Sequence, residues 1–191
     1  MRGTVDDVIR KVKGLEPIDP MDEELLDLMD DGSVEARQIL DIEAAFAGGE
    51  FHGDRIVDDP LDAESADLAA AVRGKRWREV PVDAIIDNRY GLPFFSAEAF
   101  RYYFPAFLIA ALAYPIATDV LPLSAYSNLC PPEDNPRLMP WFLERVTGFN
   151  ASQRKVLRAY VERYNRLDER YPKPRHKWAA DFWQERTRSG T

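Results

Sequence analysis

The chain has 191 residues, of which 46% are hydrophobic and 30% charged, a composition typical of globular rather than disordered proteins. It holds 33 acidic and 25 basic residues. The resulting net charge of −8 for the whole chain argues against a protein that binds nucleic acid over most of its surface. Cys130 is the single cysteine, which excludes an internal disulfide and a zinc site built from cysteines. Because the first residues contain no apolar signal core, we expect a cytoplasmic protein.

The charge is unevenly distributed along the chain. Residues 1–72 contain 20 acidic and 6 basic side chains, whereas residues 73–191 contain 13 acidic and 19 basic ones. Two solvated faces, or an acidic part packed against a basic part, would explain this pattern. The alternative is that the acidic half docks on a basic partner or masks the basic half.

The N-terminal residues 1–32 are predicted to form an acidic helical extension. Thr4 and Asp7 have the spacing of a capping box, and the helix that follows should end at Gly14. Asp19 followed by Pro20 indicates the start of a second short helix, which Gly32 would end. These two helices could form a small docking arm.

The next segment continues the helical pattern. Ser33 is placed to cap a third helix, and Asp59 followed by Pro60 indicates a helix that stops at Gly74. Between them, residues 51–59 are irregular, with a short extended piece around Ile56. One or two helical turns are expected at residues 85–86.

The most apolar segment, residues 94–117, is predicted to be the core helix. Ser96 is a good N-cap, and Pro105 should kink the helix or divide it into two near Phe104. Residues 102–118 carry no charge, but the run is shorter than the roughly 20 residues of a membrane span and lacks flanking Lys or Arg clusters. We therefore predict a buried helix and no membrane insertion.

The last third is predicted to contain a proline-marked loop and then further helices. Pro122, Pro131, Pro132 and Pro136 indicate a long loop, after which Asn150 and Gln153 cap a regular helix. One face of that helix is apolar and the other is basic, with Arg154, Lys155, Arg158, Arg163 and Arg166. The predicted fold is all-α, with a main domain at 33–171 and an aromatic, basic helix at 172–191 that packs on it.

The string from Phe95 to Leu108, which reads FSAEAFRYYFPAFL, resembles the signature of a bacterial family of uncharacterised proteins. Its pattern is a serine, then a glutamate, then an aromatic-Arg-Tyr-Tyr-Leu-Pro-Ala run, with Phe104 standing here where leucine is usual. The resemblance covers residues 38–168. It implies a helical fold and a bacterial origin, and it brings no activity.

Sequence motifs for catalysis are absent, and so we predict no cofactor and no metal. The chain has two histidines, His52 and His176, and neither belongs to a metalloprotease, phosphate-loop, dinucleotide or nucleophile-elbow motif. The best metal-like cluster groups His52 with three acids, and a solvated loop explains it better; those acids are Asp54, Asp58 and Asp59. A bystander thiol is the favoured interpretation of Cys130.

One candidate small-molecule site remains. Glu98, Arg101, Tyr102 and Tyr103 could line a polar notch beside the proline, because a kink releases a backbone carbonyl and these residues offer charges and donors. The structural alternative is that Arg101 pairs with Glu98 or ties down a neighbouring helix end.

The basic C-terminal helix suggests nucleic-acid binding, but its tyrosines lie at core spacing instead of being interleaved for base stacking, so nucleic acid is not the favoured partner. The leading hypothesis is a non-enzymatic bacterial interaction protein, an adaptor or an immunity-like inhibitor, whose partner is another protein. The alternative is a binding or catalytic domain that uses the notch. The sequence leaves open whether the chain is an enzyme and in what oligomeric state it acts.

Overall fold

The computed structural model describes residues 2–29, 33–132, 135–167 and 174–188, with the backbone alone at residues 174–176 and 188. These ranges contain helices and no sheet; the extended pairing they show is two isolated bridges, Thr4 with Pro81 and Val57 with Phe95. The predicted all-α class is therefore confirmed. None of the described helices is both long and apolar enough to cross a membrane.

The α-helices of the described ranges, in chain order, are α1 Val5–Val12, α2 Glu23–Met29, α3 Val34–Ala45, α4 Ala63–Val72, α5 Val82–Asp87, α6 Ala97–Ala113, α7 Leu121–Asn128, α8 Met139–Val146, α9 Ala151–Leu167 and α10 Pro174–Arg188. Three short 3-10 turns lie at Trp77–Glu79, Leu92–Phe94 and Pro136–Leu138.

Helix α6 forms the centre of the core, as predicted. Its start is held by Ser96, whose hydroxyl accepts from the Ala99 amide at 3.3 Å and donates to the Arg55 carbonyl at 2.7 Å. From Tyr103 to the end of the helix every side chain is buried. Pro105 lies inside this single helix, which excludes the alternative of two helices meeting near Phe104; the kink at Pro105 stays a prediction.

The N-terminal helices pack into the body of the protein. The Val5 amide donates to the Val80 carbonyl at 3.1 Å, and the Val82 amide donates to the Gly3 carbonyl at 2.9 Å. The capping box predicted for Thr4 and Asp7 is present, and the apolar face of α1 is fully buried. The described part of residues 1–32 is therefore anchored instead of forming a free arm; Asp30, Asp31 and Gly32, the predicted end of α2, lie outside the described residues.

Helix α7 was not expected. The prolines predict a long loop from Pro122 onward, but Pro122 is the second residue of α7, where a proline is tolerated since the first-turn amides have no intrahelical partner. The other three prolines lie outside α7, in the connection to α8 and at the start of the turn Pro136–Leu138.

Contacts between Cα atoms divide the chain into two compact units. Unit 1 is Met1–Ala125 and unit 2 is Tyr126–Thr191, with the division falling inside α7. The predicted segments 1–32, 33–171 and 172–191 remain a prediction about domain organisation.

Unit 2 is built from α8, α9 and α10. The indole of Trp183 is fully buried and its Nε1 donates to the Leu129 carbonyl at 2.7 Å. Asn150 and Gln153 exchange the two bonds of a capping box at 3.0 Å each, as predicted at the start of α9. Arg154, assigned by spacing to the solvated face of α9, is only 9% exposed and its Nη1 donates to the Phe149 carbonyl.

Candidate functional site

The four residues of the predicted notch lie in different surroundings. Tyr103 is 1% exposed, and its hydroxyl lies within hydrogen-bond distance of the carbonyls of Val72, at 3.2 Å, and Lys75, at 3.1 Å. Burial, and to a lesser degree the neighbouring Tyr102, raises the pKa of Tyr103 to about 12. Tyr103 therefore joins α6 to the end of α4, as a structural residue.

Glu98 and Arg101 lie nearer the surface. Glu98 is exposed at the start of α6, and Arg101 is half-buried one turn later. A Cβ atom built on Gly53 would come within 2.8 Å of Glu98 Oε2 and 2.7 Å of the Phe51 ring, so a larger residue there would require these side chains to shift. That all four residues form one ligand site stays a prediction.

Tyr102 lines a cleft of about 630 Å³ in unit 1, and this cleft is hereafter the Tyr102 cleft. Four segments form it: the start of α1, the loop after α3, the 3-10 turn Trp77–Glu79 with the residue before it, and α6. Glu98, Arg101 and Tyr103 are not among its lining residues. Those residues are Thr4, Asp6, Ala47, Gly49, Glu50, His52, Arg76, Trp77, Arg78, Glu79 and Tyr102.

One wall of the Tyr102 cleft is held by a network around Arg78. Its guanidinium lies 2.7 Å from Glu43 and 3.8 Å from Asp6, and it stacks over the Trp77 ring at 5.1 Å. The Trp77 indole is itself fixed, because Nε1 donates to the Phe46 carbonyl at 3.2 Å. Burial alone would raise the pKa of Glu43, but hydrogen bonds from Arg78 and Lys13 outweigh it and hold that pKa below its usual value.

A second charged pair borders the same cleft. Arg76 Nε and Nη2 donate to Glu79 Oε1 at 3.0 and 2.7 Å, and the Arg76 amide donates to Oε2 at 2.8 Å. These bonds lower the pKa of Glu79. Burial raises the pKa of the half-buried Tyr102, opposed by a hydrogen bond from the Trp77 amide and by the charge of Arg76. The cleft thus combines fixed charges of both signs with a phenol.

The cluster around His52 does not form a metal site in the structure. No group of three or more His, Cys, Asp or Glu side chains suited to a metal ion occurs within the described residues. His52 is exposed at the Tyr102 cleft, whereas Asp58 lies 3.5 Å from Arg55 and Asp59 accepts from the Leu61 amide. Cys130 is buried in unit 2, and the side chain of His176 lies outside the described residues.

A second surface of unit 1 combines exposed apolar groups with acids. Met21 is 85% exposed and Ile116 is 81% exposed, and both line a depression of about 540 Å³. We call it the Met21–Ile116 surface. Its other lining residues are Arg2, Lys11, Asp19, Asp22, Glu23 and Glu24.

Hydrogen bonds hold part of this acidic rim in place. Glu24 Oε2 accepts from the Ile116 amide at 2.9 Å and the Ala117 amide at 3.4 Å, and the Tyr114 hydroxyl donates to Asp22 Oδ2 at 2.9 Å. Burial, reinforced by Asp22, raises the pKa of Tyr114 well above its ordinary value. The loop after α6 is thereby joined to α2, 92 residues away in sequence.

Sequence reasoning missed both the Tyr102 cleft and the Met21–Ile116 surface. The acidic pattern of α2 is visible in the sequence, but the contact of Ile116 with the same acids depends on a long-range bond. Likewise, Arg76 and Glu79 have a capping spacing, yet nothing local indicates that His52 and Asp6 face the same cleft.

The comparisons with known proteins place the chain in a family. Residues 55–187 match the model of a family of unknown function, DUF6714, so the chain belongs to that family. The prediction of an uncharacterised family is confirmed to this extent, but the match begins at residue 55 instead of 38 and includes the last helix. No curated protein and no solved structure matches the chain.

Only some of the residues that line the Tyr102 cleft lie within the part of the chain that matches the family. Arg76, Glu79 and Tyr102 lie inside it, whereas Asp6 and Glu50 come from the preceding residues. In this chain, residues outside the family match therefore complete the cleft.

Proposed function

We propose that the protein is a non-enzymatic interaction protein that binds a basic, apolar segment of another protein on the Met21–Ile116 surface. The observation that carries this proposal is the exposure of two large apolar side chains in a depression that four carboxylates also line. The resemblance of residues 95–108 to a bacterial signature supports a bacterial origin, and we place the protein in the cytoplasm. An adaptor or an immunity-like inhibitor would have such a surface.

The apolar part of the surface supports a protein partner. Single exposed apolar residues are common, but Met21 and Ile116 come from separate segments and line one depression. Methionine adapts its shape to different partners, and burial of each side chain would contribute roughly 1.5–3 kcal/mol.

The charges specify the partner's chemistry. Four carboxylates face two cations on this surface, and Arg2 is already paired with Asp83 at 3.2 Å. A lysine- or arginine-bearing segment therefore gains Coulomb attraction here, while an acidic segment is repelled. Because Glu24 and Asp22 are held by hydrogen bonds, little side-chain ordering is needed on binding.

The test uses the purified full chain and synthetic amphipathic helical peptides with leucine at the i, i+3, i+4 and i+7 positions and lysine on the other face, or glutamate on that face as the charge control. We expect the basic peptide to bind and the acidic peptide not to bind. The double variant Met21→Ser, Ile116→Ser should weaken binding at least tenfold, and Glu23→Lys should weaken it less.

Leu61→Ser is the matched control, since Leu61 is another exposed apolar side chain of unit 1 but does not line the surface. Equal binding by the wild type and the double variant would refute the assignment of this surface. Equal binding of both peptides would refute the charge argument.

The nucleic-acid alternative is less well supported. Unit 2 has 13 basic against 8 acidic residues, but the rings of Tyr126, Tyr160 and Tyr164 contact other residues of the unit or are buried in it. Tyr126 stacks on Tyr164 at 4.3 Å, and Tyr160 is buried, so neither ring arrangement resembles a platform for bases.

A further inference from the structure

We infer that the Tyr102 cleft is a second binding site, which takes a small zwitterion bearing a carboxylate and a protonated amine, the chemistry of a free amino acid. This site is separate from the Met21–Ile116 surface and does not depend on the function proposed for it.

The size of the cleft suits such a ligand. Its volume of about 630 Å³ lies within the range of small-molecule sites, roughly 300–1,000 Å³. All its lining residues belong to unit 1, and they come from four segments that are distant in sequence.

Charges of both signs face the cleft. Asp6, Glu50 and Glu79 provide carboxylates, and Arg76 and Arg78 provide guanidinium groups. A ligand with one charge would be attracted by one set and repelled by the other. A ligand with a positive and a negative end can orient toward both sets, which favours a zwitterion over a simple amine or acid.

The carboxylate end of the ligand has donors available. Arg76 uses Nε and Nη2 for Glu79, and its Nη1 takes part in neither bond. Tyr102 also lines the cleft, and a phenol hydroxyl can donate its proton. The two groups interact electrostatically, and both line the cleft.

The acceptor for the amine end is Glu50, a carboxylate that interacts electrostatically with Arg76. Glu50 is exposed and makes no hydrogen bond or ion pair with any described residue, unlike Glu79. It follows Gly49, whose φ of 102° is in the region that glycine adopts without strain. Glu50 thus follows a backbone bend next to the pair Arg76–Glu79.

The fixed side chains reduce the cost of binding. Arg78 is held by Glu43 and Trp77, so its guanidinium is already oriented, whereas Arg76 is 71% exposed and its pair with Glu79 is solvated. Side chains that are immobile before binding lose less entropy on binding.

The experiment is a thermal-shift and calorimetric screen of the purified full chain with each common L-amino acid, with butylamine, with butyrate, and with those two together. We expect at least one amino acid to raise the melting temperature by mass action, and the amine or the acid alone to bind at least tenfold more weakly. Glu50→Gln should lower the affinity for the amino acid about tenfold, and Tyr102→Phe should lower it severalfold.

Glu64→Gln is the matched control, because Glu64 is an exposed acid on α4 outside the cleft. This variant should bind the amino acid with the same affinity as the wild type. The double variant Met21→Ser, Ile116→Ser should also bind the amino acid normally, which separates this result from the proposed function. The inference is overturned if no amino acid binds at 10 mM, if butylamine or butyrate binds equally well, or if Glu50→Gln has no effect.

Discussion

The two units of the chain differ in the residue types that they bury. Unit 1 has 25 acidic and 12 basic residues, yet its centre is α6, which is apolar around its whole circumference from Tyr103 onward. Unit 2 is basic, and its amphipathic helix α9 buries an arginine, Arg154, together with Val156, Leu157 and Tyr160. Among the described residues of unit 1 no acid is fully buried, although Glu43 is partly so, whereas Arg145 and Arg154 of unit 2 are buried.

The difference follows from the shape of the side chains. The long stem of arginine can be buried while the guanidinium finds a carbonyl, as Arg154 does with Phe149, but the short acids lack such a stem. Charge composition therefore predicts the surface of unit 1 better than that of unit 2. Four substitutions test this contrast, from the largest expected effect to the smallest.

The core of α6 should be the most sensitive position. Phe104 is fully buried and stacks on Phe100 at 4.5 Å, so Phe104→Ala should lower the free energy of unfolding by about 3–5 kcal/mol through lost burial and a cavity. Urea unfolding measures the change. Leu61→Ala, at an exposed position, should change it by less than about 0.5 kcal/mol. Similar values for both variants would contradict the assignment of α6 as the core.

In unit 2 the corresponding test removes a buried hydrogen bond. Trp183→Phe leaves the Leu129 carbonyl without its donor and should cost about 1–3 kcal/mol. The half-buried Trp178 makes no such bond with the described part of the chain, so Trp178→Phe should cost clearly less in the same urea experiment. A larger loss for Trp178→Phe would show that the bond from Trp183 is not important for unit 2.

Tyr103 provides a test of unit 1 with a pH signature. Tyr103→Phe should cost about 1–2 kcal/mol at neutral pH, because the carbonyls of Val72 and Lys75 lose a donor. The folded-state pKa of Tyr103, about 12, exceeds the ordinary value of 10.0. The stability that this difference contributes is present below pH 10 and is lost as the pH rises toward 12.

Tyr103→Phe should therefore lose less stability than the wild type between pH 9 and pH 11.5, measured by urea unfolding. Tyr90→Phe, at an exposed tyrosine, should behave like the wild type. An equal loss in the wild type and in Tyr103→Phe would exclude this tyrosine as a source of alkaline instability.

The smallest effect is expected for Glu43, the acid that pairs with Arg78 at 2.7 Å and with Lys13 at 3.2 Å. Since the pKa of Glu43 is lowered on folding, its stabilisation is present above pH 4.5 and is lost as the pH falls through the folded-state value. Glu43→Gln should lower the free energy of unfolding by about 1 kcal/mol at pH 7. Between pH 5 and pH 3 this variant should lose less of that free energy than the wild type, as measured by urea unfolding. Glu64→Gln serves as the control, and identical acid curves for the wild type and Glu43→Gln would contradict the pairing.

The sequence by itself determined the helical class, the apolar core segment and several helix starts. The capping boxes at Thr4 and Asn150 and the cap at Ser96 were predictable because each involves residues three positions apart, and the chain can form such bonds locally. The sequence left open whether α6 continues through Pro105 or divides there, because that choice depends on whether burial around the proline outweighs its local cost.

Only the tertiary structure decided what the polar residues contact. Tyr102 and Tyr103 are adjacent in sequence, yet one lines a cleft with His52 and Arg76 while the other bonds to the end of α4. Ile116 meets the acids of α2, and Arg154 is buried despite its place on the polar face of α9. These outcomes depend on the packing of segments tens of residues apart, and the periodicity of a single segment does not encode that packing.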